Sequence, residues 1–118
     1  MTRRAVAGLL LAGLVGVLSI AVGCKGSRAR TAAGLDPAQL PEEVRADYAL
    51  FARRCSKCHA LSRPLDSGIT SDAYWAIYVD KMRHLPGSGI TAEDEVAILR
   101  FLKVYAASER DRLREEGK

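Results

Sequence analysis

The chain has 118 residues, which is enough for one small domain and too few for two. Its formal net charge is +4, and without Arg3 and Arg4 the remaining 16 basic and 14 acidic residues leave +2. This bias is too small to indicate a nucleic-acid-binding protein, because such proteins concentrate Lys and Arg on one face.

Residues 1–23 have the organisation of an export signal or a membrane anchor. Arg3 and Arg4 precede 19 uncharged, largely apolar residues, 5–23, and Cys24 follows them. A positive start and an apolar stretch are typical of secretory signals. The position of Cys24 resembles that of the lipidated cysteine in bacterial lipoproteins, which implies cleavage before it and acylation of its thiol. An uncleaved transmembrane helix and plain cleavage to a soluble protein are the alternatives.

Residues 24–40 follow the apolar stretch and contain small and charged residues without periodicity. They predict the lipidation site and a flexible tether between the membrane and a folded domain. The domain itself is predicted to occupy residues 41–107, and residues 108–118 are predicted to form a charged, frayed C-terminal tail.

The first predicted helix covers residues 41–58. Pro41 suits the first helical position. An apolar stripe recurs at intervals of three and four residues along this segment, at Val44, Tyr48, Phe51 and Cys55.

A second helix is predicted over residues 72–83, with Ser71 as its N-cap. Trp75, Val79 and Met82 are spaced by four and three residues, which puts them on one helical face. Residues 85–89 are dense in Gly and Pro and predict a turn.

The last helix is predicted to begin at Thr91, whose hydroxyl group would cap the next turn. Its buried stripe is predicted to consist of Ile98, Phe101, Leu102 and Tyr105. No segment alternates between apolar and polar residues as a strand does, so we expect an all-α fold.

The sequence Cys55-Ser56-Lys57-Cys58-His59 is a C-x-x-C-H motif, which is typical of covalent haem attachment. Two thiols three residues apart on one helical turn can each add to a haem vinyl group. His59 then lies on the same side and can bind the iron as the proximal ligand. The motif therefore predicts one covalently bound haem c.

Two other chemistries use similar residues. A thioredoxin-like dithiol would use the same C-x-x-C, but it is built near a βαβ pattern that this sequence lacks. A zinc site would need further ligands, and only Cys24, His84 and scattered carboxylates are available.

Residues 41–107 resemble the small class I-like c-type cytochromes. The resemblance is carried by the C-x-x-C-H motif, by Pro64, and by a C-terminal half that contains Trp75, Val79, Met82, Pro86-Gly87, Ile98 and Phe101-Leu102. It implies a small helical domain wrapped around one haem, on which Tyr74, Trp75, Ile77 and Phe101 would pack. It also implies that the backbone carbonyl of Pro64 faces the proximal His59.

The same resemblance implies that Met82 is the distal iron ligand. Met82 is the only methionine besides the initiator, and a methionine that merely fills the core is the ordinary alternative. His84 is the rival ligand, and an open iron site is a third possibility. A His/Met pair would raise the redox potential relative to two histidines.

We expect a single-electron carrier rather than an enzyme, on the periplasmic side of a bacterial membrane and lipid-anchored at Cys24. It would exchange electrons with a redox protein or a membrane electron-transport complex, and Lys57, Lys81 and Arg83 would steer an acidic partner. The alternatives are a haem-based sensor or binder of small molecules, a cytochrome subunit of a larger oxidoreductase, and a thiol-disulfide oxidoreductase.

Overall fold

A computed structural model describes residues 34–117, which fold into helices with no β-strand among them. After a 3-10 helix at Pro37–Gln39, the α-helices are α1 (Glu42–Cys55), α2 (Ser62–Leu65), α3 (Asp72–Arg83) and α4 (Ala92–Glu115). The predicted all-α fold class is confirmed. The predictions for the leader and for Cys24 lie outside the described residues.

Helix α1 is shorter than predicted at both ends. Pro41 is its N-cap rather than its first residue, and Glu42 and Glu43 occupy the first turn, where carboxylates stabilise the positive end of a helix. The helix ends at Cys55, and residues 56–58 form a turn. These three residues are exposed, so no burial of apolar surface stabilises a further helical turn, and Cys58 lies outside the helix.

Helices α3 and α4 begin where the capping residues predict. The Ser71 hydroxyl accepts a hydrogen bond from the Tyr74 N–H at 3.3 Å. Thr91 and Asp94 form a capping box, because each side chain accepts a hydrogen bond from the other residue's backbone N–H at 3.1 Å. The predicted span 72–83 is confirmed.

Helix α4 continues to Glu115, so the predicted frayed tail after Ala107 is wrong for most of its length. Ion pairs between residues three or four apart line the extension, including Arg112 with both Glu109 and Glu116. Arg110 also donates a hydrogen bond to the Thr70 carbonyl, which attaches the extension to the segment before α3.

The core lies where α1 packs against α4. The Phe101 ring is 5.0 Å from both the Tyr48 and the Phe51 ring, measured between centroids. The predicted stripes are buried except for Cys55, which is half-buried. The buried members are Val44, Tyr48 and Phe51 on α1, and Ile98, Phe101, Leu102 and Tyr105 on α4. The Tyr105 hydroxyl donates a hydrogen bond to the Leu65 carbonyl at 2.6 Å, which holds α2 against α4.

Within the described residues, the packed part of the chain already includes Leu35, six residues before the predicted domain boundary. Leu35 and Leu40 are buried in the core, and the Tyr48 hydroxyl bonds to both the N–H and the carbonyl of Leu35, at 2.6 and 2.8 Å. Residues 35–40 are therefore part of the domain rather than of the predicted tether.

Candidate functional site

A cavity opens between the end of α1, α2, α3, residues 85–90 and α4, and we call it the inner cavity. Its space is about 610 Å³, including the open solvent at its mouth. Its walls are mainly apolar and include the side chains of Phe51, Trp75, Val79, Leu85, Ile90 and Leu102.

Six of the predicted site residues line this one cavity, although they come from three separate segments of the chain. They are Cys55, Cys58, His59, Pro64, Trp75 and Met82. The two cysteines and His59 come from the end of α1 and the following turn, Pro64 comes from α2, and Trp75 and Met82 come from α3.

The C-x-x-C-H residues have different environments. Cys55 is half-buried and Cys58 is exposed, and neither forms a disulfide. Burial raises the pKa of the Cys55 thiol to about 11. A thiol with so high a pKa is almost entirely protonated at neutral pH, which is the opposite of a reactive thiolate.

His59 is oriented by its own neighbourhood rather than by Pro64. Its Nδ1 atom lies 3.1 Å from the Ala60 carbonyl oxygen. The Pro64 carbonyl instead accepts a hydrogen bond from the Ser67 N–H at 3.2 Å. Within the described residues, no hydrogen bond joins the Pro64 carbonyl to His59, and Pro64 lies inside the short helix α2.

Met82 is half-buried on the face of α3 that carries the buried Trp75 and Val79. The Trp75 indole N–H donates to the Ile69 carbonyl at 3.2 Å, which fixes the ring at the cavity wall. The next residue, Arg83, is held by Glu95 of α4, with 2.7 Å between its Nε atom and Oε2. The end of α3 therefore has a fixed position relative to α4.

His84 lies on the outside of the molecule and lines neither the inner cavity nor the open cavity that adjoins it. Its side chain is 62% exposed, and its Nδ1 atom is 2.8 Å from the Asp80 carbonyl oxygen. The structure thus separates the two rival ligands, with Met82 at the cavity and His84 away from it.

Residues 85–90 close one side of the inner cavity. The Ser88 hydroxyl donates to the Arg83 carbonyl at 2.9 Å, and the Lys57 ammonium group donates to the Ser88 carbonyl at 3.2 Å. Gly89 has a φ of +63°, and a Cβ atom there would lie 2.7 Å from Lys57 Nζ. The left-handed backbone therefore favours glycine at this position, whereas the lysine side chain could move aside.

Sequence reasoning missed Tyr78 and the loop residues Leu85 and Ile90 as parts of the cavity wall. Tyr78 follows Trp75 by three residues and precedes Met82 by four, so the helical spacing could have revealed it. The two loop residues carry no periodic signal, and only the path of the loop brings them to the cavity.

A second, open cavity adjoins the first, and we call it the outer cavity. Its space is about 1330 Å³, including the open solvent at its mouth. Cys58, His59, Tyr78 and Met82 line both cavities, so the two are continuous. The outer cavity is also lined by Arg63, Ser67, Tyr74, Ile77 and Lys81.

The aromatic and aliphatic residues expected around the site divide between the two cavities. Trp75 is 1% exposed and lines the inner cavity, whereas Tyr74 and Ile77 are 57% and 67% exposed and line the outer one. Phe101 is buried in the core between α1 and α4 and lines neither cavity.

Two features are absent from residues 34–117. No three His, Cys, Asp or Glu side chains come together in a way that could hold a metal ion. No helix in this part of the chain is long and apolar enough to span a membrane. Comparisons of the chain with protein-family models, with curated proteins and with solved structures found no match.

Proposed function

We propose that this chain transfers single electrons through one haem c that is attached covalently to Cys55 and Cys58, with His59 and Met82 as the iron ligands. It would act on the periplasmic side of a bacterial membrane, anchored through Cys24. It would exchange electrons with a redox protein or a membrane complex, either as a free carrier or as a subunit of a larger oxidoreductase.

The observation that carries the proposal is the convergence of the C-x-x-C-H residues and Met82 on one apolar cavity. Cys58 and Met82 are 24 positions apart in the sequence, yet both line the inner and the outer cavity. A site with thiols and an imidazole in one segment and a thioether in another has the donors of His/Met haem ligation.

The lining of the site also suits a largely apolar group. The inner cavity offers aromatic and aliphatic walls at Phe51, Trp75 and Leu102, and it widens into the outer cavity. Burial of such a group would add apolar contacts that a domain of this size otherwise lacks.

When bound, haem supplies a one-electron iron couple, and the chain's residues set the conditions for it. Cys55 and Cys58 would hold it covalently, while His59 would donate through the ring nitrogen that does not face Ala60. Trp75, Val79 and Leu85 would keep water from the apolar part of the cavity. Since α3 is held to α4 through Arg83 and Glu95, Met82 would move little between oxidation states.

The first experiment is an oxidised-minus-reduced absorption spectrum of the full chain, expressed with c-type haem maturation. Covalent haem that survives denaturation, together with the red charge-transfer band of methionine-ligated ferric haem, is the expected result. Covalent haem without that band would retain the cytochrome and reject Met82. A chain without covalent haem despite competent maturation would contradict the proposal.

A haem-based sensor or binder of small molecules is the second candidate, and one observation favours it. Met82 lines the open outer cavity as well as the inner one, so a small molecule has a route to the position of the sixth ligand. Rapid binding of carbon monoxide to the reduced protein would support this function. Slow or undetectable binding is expected for the electron carrier.

A thiol-disulfide oxidoreductase is the third candidate, and the Cys55 environment argues against it. An attacking thiol in such enzymes has a lowered pKa, whereas burial raises the pKa of Cys55 to about 11. Cys58 is exposed and could form a mixed disulfide with a substrate. Cys55 would then have to attack that disulfide, and its protonated thiol would do so slowly.

The proposed anchor is tested by Cys24→Ser. If Cys24 is lipidated, the variant leaves the membrane fraction and appears in the soluble extract, because acyl chains provide the attachment. Retention of the variant in membranes would instead favour residues 5–23 as an uncleaved spanning helix.

A further inference from the structure

The outer cavity carries two positive charges and no negative one. Arg63 lines it from α2 and Lys81 lines it from α3. No Asp or Glu lines either cavity in the part of the chain that the structure describes. The inner cavity contains Arg54, but its charge is already compensated by Asp94, with 2.8 Å between Nε and Oδ2.

Most other cations of the domain are paired. Arg83, Arg100, Arg110, Arg112 and Arg114 are in ion pairs, and Arg45 and Lys57 donate to backbone carbonyls. Arg63 and Lys81 have neither kind of bond to residues 34–117. Arg53 and Lys103 share this property, but they lie outside both cavities. Four cationic side chains of residues 34–117 therefore have no such bond to the described residues, and two of them, Arg63 and Lys81, line the outer cavity.

Haem is amphipathic in a way that matches this distribution of charge. Its macrocycle is apolar and carries two propionate carboxylates at one edge. Burying a carboxylate in the apolar inner cavity without a partner would be strongly unfavourable. The outer cavity offers solvent, two cations and the hydroxyl groups of Ser67 and Tyr74.

We propose that Arg63 and Lys81 bind the propionate carboxylates of the haem and thereby set which edge of the macrocycle faces the solvent, an inference that rests on the proposed function. Arg63 can present two N–H groups to one carboxylate, whereas Lys81 acts as a point charge. Because Arg63 lies on α2 and Lys81 on α3, their contacts with the propionates would link these two walls of the outer cavity.

The electrostatic surroundings of Tyr78 agree with this arrangement. Burial raises the pKa of Tyr78, and the nearby Arg63 charge works in the opposite direction. Since Tyr78 lines both cavities, the Arg63 charge lies near the boundary between them.

The experiment observes the propionates directly. The full chain is matured in cells fed 5-aminolevulinic acid labelled with 13C at its carboxyl carbon, which labels the two propionate carboxyl groups of the haem. Carbon NMR of the reduced protein then follows both signals as the pH is changed. The variants are Arg63→Gln, Lys81→Gln and the double variant, and the matched controls are Arg53→Gln and Lys103→Gln.

In the unaltered chain, the nearby cations should hold the propionate pKa values low. Loss of an opposite charge within about 4–6 Å raises a carboxyl pKa by about 1 unit or more, so each single variant should shift one signal and the double variant both. The controls should leave both signals unchanged. The other titratable groups facing the outer cavity are Cys58 and His59, which the haem would engage, and Tyr74 and Tyr78.

The outcomes separate this inference from the proposed function. Covalent haem whose propionate signals do not respond to Arg63→Gln and Lys81→Gln would overturn the inference alone. The same conclusion follows if these variants change only the salt dependence of electron exchange with an acidic partner, since the two cations would then serve docking. A chain without covalent haem would overturn the function and this inference with it.

Discussion

The side of the domain where α1 meets α4 differs from the side where α3 and residues 85–90 lie. Between α1 and α4, the rings of Tyr48, Phe51 and Phe101 pack with centroids 5.0–6.1 Å apart, and all three are buried. Helix α3 contributes only Trp75 and Val79 to the core.

The opposite side leaves apolar surface uncovered around the cavities. Tyr74, Ile77 and Leu85 are each about half exposed or more, at 57%, 67% and 47%, and all three line the outer cavity. The apolar residues between α1 and α4 thus bury one another, whereas exposed apolar residues on the α3 side line an open cavity. This contrast predicts that the second side needs an occupant to cover its apolar residues, whereas the first side covers its own.

The largest effect is expected from the double variant Cys55→Ala/Cys58→Ala, which removes both thiols that are proposed to attach the haem. A domain of this size gains little from burial alone, so we expect the variant to lose its cooperative thermal transition. Far-UV circular dichroism during heating measures this. A cooperative transition near that of the unaltered holoprotein would show that the helices need no cofactor.

The reactivity of the two thiols is a second test of whether the chain folds without haem. It uses the Cys24→Ser variant, produced without haem. In the folded arrangement, burial raises the pKa of Cys55 from 9.0 to about 11, which lowers its thiolate fraction at pH 8 by roughly 100-fold. If the apo-chain is largely unfolded, iodoacetamide should modify Cys55 and Cys58 at similar rates. Strong protection of Cys55 would contradict that expectation.

The next largest effect is expected from Phe101→Ala, which opens the packed side between α1 and α4. Truncating a buried phenylalanine costs about 3–5 kcal/mol, measured by guanidinium unfolding of the holoprotein. Val96→Ala on the same helix is the control, because Val96 is exposed and should change stability by about 0.5 kcal/mol or less. Equal losses in the two variants would contradict the description of the core.

Met82→Ala tests the other side of the domain. We expect complete loss of the red charge-transfer band of the ferric protein and a loss of about 2 kcal/mol in stability, since the side chain is only half-buried. His84→Ala should retain the band, because His84 is exposed and lines neither cavity. Loss of the band in His84→Ala, with retention in Met82→Ala, would reverse the assignment of the ligand.

The smallest effect is expected at the start of α4. Thr91→Ala removes one half of the capping box and should cost about 1 kcal/mol, while Thr91→Ser should cost much less because it retains the hydroxyl group. Equilibrium unfolding of both variants measures the difference. Equal stability of the two variants would indicate that the cap contributes nothing.

The same cap predicts a dependence on pH. The hydrogen bond from the Thr91 N–H is the main cause that lowers the pKa of Asp94 below 3.8, with a further contribution from the Arg54 charge. The stabilisation is therefore complete above the unfolded-state pKa and is lost as the pH falls through the lower folded-state value. The stability difference between the unaltered chain and Asp94→Asn should stay constant from about pH 7 to 5 and shrink below about pH 4.

Local signals in the sequence predicted the three long helices and the starts of α3 and α4. Ser71 and Thr91 are hydroxyl residues directly before amphipathic segments, and both cap helices as predicted. The apolar spacing of Tyr48, Phe51 and Phe101 was sufficient to identify the packed faces, since helical period and burial are linked at this range. The C-x-x-C-H motif likewise named the residues of the candidate site without reference to the fold.

Tertiary structure decided what local pattern could not encode. The extension of α4 beyond Ala107 depends on the contact of Arg110 with Thr70, 40 positions away, and on ion pairs that a charge-rich sequence does not distinguish from a solvated tail. The burial of Leu35 depends on the Tyr48 hydroxyl, 13 positions away.

The candidate site divides in the same way. From the sequence alone, Met82 and His84, two residues apart, are alternative candidates for the distal iron ligand. Apart from the resemblance to c-type cytochromes, the sequence contains no physical reason to choose between them. Their orientation depends on where α3 packs against α4: Trp75 and Val79 turn the Met82 face toward the cavity, and His84 caps the end of the helix in solvent. Sequence spacing thus determined which residues share a helical face, whereas only the packing of one helix on another decided which face borders the cavity.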